Sequence, residues 1–299
     1  MPGLFFILNQ LYILYMNVIL ADVLGYCMGV RRAVDSAIET LRNNQNNKVY
    51  SLGPLIHNQV ALDKLSSMGL KVLREPNIDL LDERSVVIIR AHGVPPQVVE
   101  KLTEKNSFVV NATCPRVLAS QNNAKRYSSM NYTVILAGDK NHGEVVGIAG
   151  YAGKKFILVE NKEDAEKLPS FNDDENAVLL CQTTFSMEEF KQIADVLSEK
   201  IRNLTVLNTI CSATKERQEA LQRLCPSVDG ILVVGGKNSA NTKRLLQIAQ
   251  ENCPLAALIE TADEIPENFF ALDNVGITAG ASTPDSVIDE VMKRLKDRN

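Results

Sequence analysis

Three cysteines share one setting. Cys27, Cys114 and Cys211 each follow a short apolar run, namely Val18-Ile19-Leu20, Phe108-Val109-Val110 and Val206-Leu207, and each precedes a segment with helical character. After Cys27 the apolar residues Val30, Val34, Ile38 and Leu41 keep helical spacing, and after Cys114 comes Pro115, a residue favoured in a first helical turn. A helix start carries unpaired N–H groups and partial positive charge, which lowers a thiol's pKa and stabilises a thiolate or an anionic metal cluster. If the three segments pack around a pseudo-threefold axis, their sulfurs reach one point. Three thiolates hold a 4Fe-4S cluster with one iron free of protein ligands, open to substrate as a Lewis acid. A single free cysteine is more often a small buried hydrophobe, so it is the repetition of strand, cysteine and helix that points to chemistry. Cys181, Cys225 and Cys253 lack that setting and read as packing residues, with Cys181 the one rival ligand.

The three histidines all occur in loops that follow apolar runs: Pro54-Leu55-Ile56-His57, Arg90-Ala91-His92-Gly93 and Asn141-His142-Gly143-Glu144. Crevices beyond the carboxyl ends of parallel strands are the usual binding place in α/β proteins. A lone loop histidine is commonly structural, but three in such loops indicate a site. Two later segments, Lys237 to Thr242 and Gly280 to Asp285, join strands to helices with small hydrogen-bonding residues and resemble anion cradles, although ordinary helix capping explains either one alone. Glu144, two positions after His142, is the candidate acid, and Gln182-Thr183-Thr184 follows a further apolar run. Neither a P-loop nor a GxGxxG turn is present.

The positioning elements follow from short β-branched runs alternating with amphipathic segments, the pattern of parallel strands crossed over by helices, so the class is α/β. With 299 residues, 45% of them hydrophobic, the chain buries a large core without needing a disulfide or metal to fold. Its net charge of -4 argues against nucleic-acid binding and for a small-molecule substrate. The intervals between the three cysteines are each about one α/β module long. The expected division is therefore residues 1–15 as an apolar extension of unknown role, then modules at 16–114, 115–210 and 211–299. No lysine or arginine precedes Arg31, so a signal peptide is not expected, and Asn9, Gln10 and Asn17 interrupt a span short for a bilayer. A cytoplasmic protein without membrane association is the expectation, and an upstream start codon before Met16 is one account of the extension.

In order along the chain, Gly25-Tyr26-Cys27-Met28-Gly29-Val30, Arg90-Ala91-His92-Gly93-Val94, Ala112-Thr113-Cys114-Pro115, His142-Gly143-Glu144, Gln182-Thr183-Thr184, Cys211-Ser212-Ala213-Thr214, Lys237 to Thr242 and Gly280 to Asp285 resemble the 4-hydroxy-3-methylbut-2-enyl diphosphate reductase family over roughly residues 18 to 297. The resemblance implies three similar α/β modules with mainly parallel sheets in a trefoil around a 4Fe-4S cluster held by Cys27, Cys114 and Cys211. It implies an allylic diphosphate bound by His57, His92, His142, Thr183, Ser239, Asn241 and Ser282. Glu144, with Thr183 and His142, would serve the proton transfer, and ferredoxin or flavodoxin would supply electrons. The reaction implied is reductive dehydroxylation to isopentenyl and dimethylallyl diphosphate, the last step of the methylerythritol phosphate route to isoprenoids. Ala240 departs from the family by standing where serine is frequent. The residues by themselves also describe a zinc-dependent phosphate-ester hydrolase or a non-catalytic iron-sulfur redox sensor.

Overall fold

The computed structural model describes residues 16–297, so the expected extension at 1–15 lies outside the described residues. The chain begins with β1 (Asn17–Leu20) and α1 (Met28–Asn43), and continues with β2 (Lys48–Leu52), α2 (Gln59–Ser67), β3 (Lys71–Leu73), β4 (Ser85–Ile89), α3 (Pro96–Glu104) and β5 (Phe108–Asn111). Next come α4 (Pro115–Ser129), β6 (Thr133–Ala137), α5 (Gly143–Ala149), β7 (Phe156–Val159), α6 (Lys162–Lys167), β8 (Asn176–Cys181), α7 (Met187–Lys200) and β9 (Asn203–Val206). The last third holds α8 (Ser212–Leu224), β10 (Gly230–Val234), α9 (Ala240–Asn252), β11 (Ala256–Ile259), β12 (Asn274–Ala279) and α10 (Asp285–Lys296).

These strands form three four-stranded sheets with orders β3-β2-β4-β5, β7-β6-β8-β9 and β11-β10-β12-β1. Every pairing is parallel. The central strands β4, β6 and β10 are buried at every position, which is why their runs are apolar without alternation. Each sheet carries an apolar core on both faces, as between Val86 and Ile88 with Ala33 and Leu65 on one side of the first sheet, and Val87 and Ile89 with Val98 and Leu102 on the other. Local signals set the helix starts: Asn58, Ser186 and Ser239 accept N–H bonds from Ala61, Glu189 and Thr242, and prolines open α3 and α4.

One boundary differs from the expected division. The run at Val18 to Leu20 was assigned with the first module, yet β1 pairs with β12 in the third sheet. Val18 packs against the core of Val275, Val287 and Val291, and Ile19 against that of Ala220, Leu221 and Ile231. The next helix, α1, then packs on the first sheet through Ala33, Val34, Ala37 and Leu41. Local pattern identifies a strand but not its partner, which is a contact between chain segments far apart in sequence.

Counted this way, all three sheets have the same arrangement. The fourth strands β5, β9 and β1 occupy equivalent edges, share the same pattern of partly buried centre and exposed ends, and each leads to a cysteine. The helix after each cysteine lies on the following sheet, with α4 contributing Ala124 to the second and α8 contributing Leu221 to the third.

Replacing Ile277, 0% exposed in β12 beside β1, with alanine is expected to cost about 2–5 kcal/mol. Val206→Ala on the edge strand β9, at 42% exposure, is expected to cost no more than about 0.5 kcal/mol. Denaturant midpoints for the two variants check this difference.

Candidate functional site

Strand order decides which loops meet. In each sheet the two central strands and the fourth strand deliver residues to one shared cavity at their carboxyl ends. From β2, β4 and β5 come His57, His92 and Cys114; from β6, β8 and β9 come His142, Thr183 and Cys211; from β10, β12 and β1 come Ser239, Ser282 and Cys27. The outer strands β3, β7 and β11 deliver none of the expected residues. Glu144 and Asn241 also line this cavity. The structure thus brings together every residue the sequence singled out for the site.

Cys27, Cys114 and Cys211 occupy the position just before α1, α4 and α8. The Val30 N–H donates to Cys27 Sγ at 3.4 Å. A methyl group built on Gly29 would stand 2.5 Å from Cys114 Sγ, so the absence of a side chain there lets the first turn of α1 approach the second cysteine. Helix starts were expected to lower thiol pKa. At Cys114 burial outweighs that effect and raises it, the N–H groups of Arg116 and Val117 oppose the rise, and Cys27 and Cys211 add to it by like charge. Three crowded sulfurs with little solvent and helix-start N–H groups suit a cationic metal centre that compensates their charge, and the donor set fits an iron-sulfur cluster.

The rival ligand Cys181 does not line the cavity. It is buried at the end of β8, where its backbone N–H donates to Thr209 Oγ1 and Thr209 Oγ1 in turn lies 3.4 Å from its sulfur. Burial pushes its thiol up to about 11. Cys225 and Cys253 sit in the core beneath α8 and α9.

The three imidazoles cluster, with ring centroids 4.5 Å apart for His57 and His92, 5.8 Å for His57 and His142, and 5.5 Å for His92 and His142. Burial lowers the pKa of all three and Arg90 adds to the effect; His57 further lowers His92 and His142, and His142 falls to about 4 although Asp139 opposes the shift. Near neutral pH they are uncharged. Their ligand atoms lie within 4.8 Å of one another, close enough to hold a metal ion. The tautomer of His142 argues for an anion instead: the Glu144 N–H donates to His142 Nδ1 at 3.2 Å, so the proton of the neutral ring sits on Nε2 and makes that atom a donor, not a ligand.

The third sheet supplies complementary donors. Ser239 Oγ accepts from the Thr242 N–H at 3.3 Å, which leaves its own O–H to donate. Asn241 is 3% exposed, and neither its amide oxygen nor its nitrogen has a partner. A buried unpaired polar group costs about 1–3 kcal/mol, and this amide lines the cavity with its donor and acceptor both unspent. The Ser282 hydroxyl donates to the His57 backbone carbonyl at 2.9 Å, tying the first and third sheets together across the site.

Glu144, 2% exposed, accepts from the Thr183 N–H at 2.6 Å on Oε1 and pairs with Thr183 Oγ1 at 2.8 Å through Oε2. Burial raises its pKa to about 7, against the two Thr183 hydrogen bonds that lower it, and Asp139 raises it slightly further. The distance from its ordinary value of 4.5 to about 7 corresponds to about 3 kcal/mol of preference for the neutral acid. Thr183 is itself positioned by Cys211, whose N–H donates to the Thr183 carbonyl at 2.9 Å. Gln182 joins this loop to Asp139, which is bridged by Arg244 at 3.3 Å.

Two arginines to which the sequence assigns no role also belong to this region, half-buried Arg90 and buried Arg217. Arg90 sits against Gly53 and Gly143, where an added methyl would come within 2.7 and 2.8 Å of its guanidinium, and its charge acts on all three histidines. Arg217, 3% exposed, faces the sulfur side. Neither a motif nor periodicity separates an inward arginine from a solvated one.

Comparison with known proteins follows this geometry closely. A family model described as LytB protein matches residues 18–296. A relative from Treponema denticola named 4-hydroxy-3-methylbut-2-enyl diphosphate reductase is 49% identical over 282 residues, covering 92% of this chain and 97% of its own length. One of the same name from Caldanaerobacter subterraneus subsp. tengcongensis is 40% identical over 282 residues, with 94% and 97% covered. The solved E-1-hydroxy-2-methyl-but-2-enyl-4-diphosphate reductase of Plasmodium falciparum superposes with a TM-score of 0.87 at 29% identity, over 93% of this chain and 87% of that one.

Because the space beside Gly29 is occupied by Cys114 Sγ, Gly29→Ala is expected to lower the metal and sulfide retained after anaerobic purification severalfold, with secondary structure by circular dichroism unchanged. Full retention would show that the two cysteine loops do not need that close approach.

Proposed function

This chain belongs to the LytB protein family, and on that premise we propose that it reductively dehydroxylates 4-hydroxy-3-methylbut-2-enyl diphosphate to isopentenyl and dimethylallyl diphosphate. The observation that supports this most directly is one cavity lined by three thiols, by three clustered histidines with an unspent amide beside them, and by a buried carboxyl whose pKa is raised to about 7. In balance, an allylic C–O bond breaks, the carbon skeleton gains two electrons and one proton, and the oxygen departs as water with a second proton. The reaction is the closing step of the methylerythritol phosphate pathway. The electrons come from a ferredoxin or flavodoxin, and the setting is cytoplasmic; among the described residues no helix is long and apolar enough to cross a membrane.

Cys27, Cys114 and Cys211 would hold a 4Fe-4S cluster, which when bound supplies the electrons and an iron able to polarise the allylic oxygen. The diphosphate lies among His57, His92 and His142, with the Ser239 hydroxyl and the Asn241 amide donating to its oxygens. Neutral imidazoles suit this task, because donors that carry no charge of their own are buried at lower cost while the pocket is empty. Ala240 contributes no side-chain donor, but as the first residue of α9 its N–H belongs to the unpaired set at the helix start. Ser282 must turn from the His57 carbonyl to donate to the ligand, and otherwise fixes the histidine loop.

Glu144 is the proton source. Its carboxyl is about half protonated near pH 7, and the Thr183 hydroxyl, bonded to it at 2.8 Å, passes the proton toward the departing oxygen and regains one from the acid. Hydroxide is a poor leaving group and water a good one, so a carboxyl with its pKa raised to about 7 is suited to give up its proton at this step.

Iron and sulfide analysis of anaerobically prepared protein tests the reading, and zinc without sulfide would overturn it in favour of a hydrolase. A reduced protein that holds its cluster but leaves the allylic diphosphate unchanged would instead indicate a sensor. Glu144→Gln is expected to keep the cluster and lose turnover by about 10²–10⁴-fold; near-parental activity rejects the acid role. Since the acid form declines above about pH 7, kcat/KM should fall roughly tenfold per unit above that pH. A profile level to pH 9 would contradict the assignment.

A further inference from the structure

Arg217 lies in the second turn of α8 and is turned inward. Its Nη1 donates to the Ala213 carbonyl at 2.7 Å and its Nη2 to the Gly25 carbonyl at 2.6 Å. Ala213 is two positions after Cys211, and Gly25 is two positions before Cys27. One guanidinium therefore ties the loop of the first cysteine to that of the third. Gly25 adopts φ +75°, a left-handed conformation that suits glycine and turns its carbonyl toward this arginine.

The charge of Arg217 is otherwise unanswered. Its two hydrogen-bond acceptors are neutral carbonyls, its Nε has no partner, and it makes no ion pair with a carboxylate among the described residues. A buried cation persists where negative charge lies nearby. Burial lowers the pKa of this guanidinium, and the groups that oppose burial are first Cys27 and Cys211, then Glu216. Thus the Cys27 and Cys211 sulfurs, negative when they ligate a metal centre, are the groups that would answer this charge.

We infer that Arg217 is a positioning residue for the cluster: it holds the Cys27 and Cys211 loops at a common spacing, and its fixed positive charge makes the cluster easier to reduce. Adding an electron to an anionic centre increases its negative charge, so a buried cation beside two of its ligands stabilises the reduced form more than the oxidised one. An arginine fits this role better than a lysine because its fork reaches two carbonyls at once, whereas the charge alone is common to both.

The inference rests on the proposed cluster, and the experiment separates the two. Parent, Arg217→Gln and Arg217→Lys are purified anaerobically, analysed for iron and sulfide, and titrated with reductant while the reduced cluster is followed by electron paramagnetic resonance. Arg217→Gln should load a cluster whose midpoint moves to more negative potential by at least tenfold in the one-electron equilibrium, about 59 mV, with Arg217→Lys restoring the parental value. A loaded Arg217→Gln protein with the parental midpoint overturns the inference. If Arg217→Gln retains no cluster, the lysine variant decides: a loaded cluster at the parental potential supports the role, and loss of cluster or a negative shift rejects it. Parent protein lacking iron and sulfide would overturn the cluster reading itself.

Discussion

Each cysteine stands where the chain leaves the fourth strand of one sheet and enters the first helix of the next. Cys114 marks the passage from the first sheet to the second and Cys211 from the second to the third. The passage at Cys27 exists only because β1 pairs with β12, which closes the ring of three sheets by hydrogen bonds instead of by a peptide link. The site depends on that closure. Without it Cys27 has no fixed relation to the other two sulfurs, Gly25 is not presented to Arg217, and the glycine approach of α1 to Cys114 is lost.

The closed ring places two kinds of negative charge in one enclosed space, thiolate and diphosphate, and the surroundings divide the work of compensating them. On the sulfur side there are helix starts and a buried arginine. On the anion side there are histidines held neutral by burial and by each other, with an amide and a hydroxyl whose donors are unspent. Glu144 adds less than a full third charge near pH 7, since the same burial that neutralises the histidines favours its protonated form. One physical cause, exclusion of water from the centre, thus produces the donor state of the imidazoles and the acid state of the carboxyl.

Hydrogen bonds between modules keep the elements in register. Ser282 joins the third sheet to the His57 loop, Thr183 accepts from the Cys211 N–H, and Gln182 connects through Asp139 to Arg244 on α9. Each of these bonds crosses from one loop to another at the carboxyl ends of the strands. The proton-transfer pair and the cysteine wall are therefore mechanically coupled: the Thr183 carbonyl bonds the backbone of one cysteine while its hydroxyl bonds the acid.

Much was readable from local pattern. Strands such as Phe108 to Val110 announced themselves as short apolar runs, and the helix starts after Cys27 and Cys114 followed from helical spacing at Val30 and Val34 and from Pro115, signals that act over a few residues. The three repeated junctions, the histidine loops and Glu144 were visible for the same reason: their settings are short and similar. What the tertiary structure alone decided was partnership. Val18 to Leu20 is legible as a strand, but its place beside β12 is a contact spanning nearly the whole chain. Arg217 looks like any surface arginine until distant segments bury it, the unpaired amide of Asn241 acquires meaning only inside the cavity, and the raised pKa of Cys114 reflects a burial that its helix start would not predict. Propensity and capping are set by neighbours along the chain, whereas burial and charge compensation are set by neighbours in space.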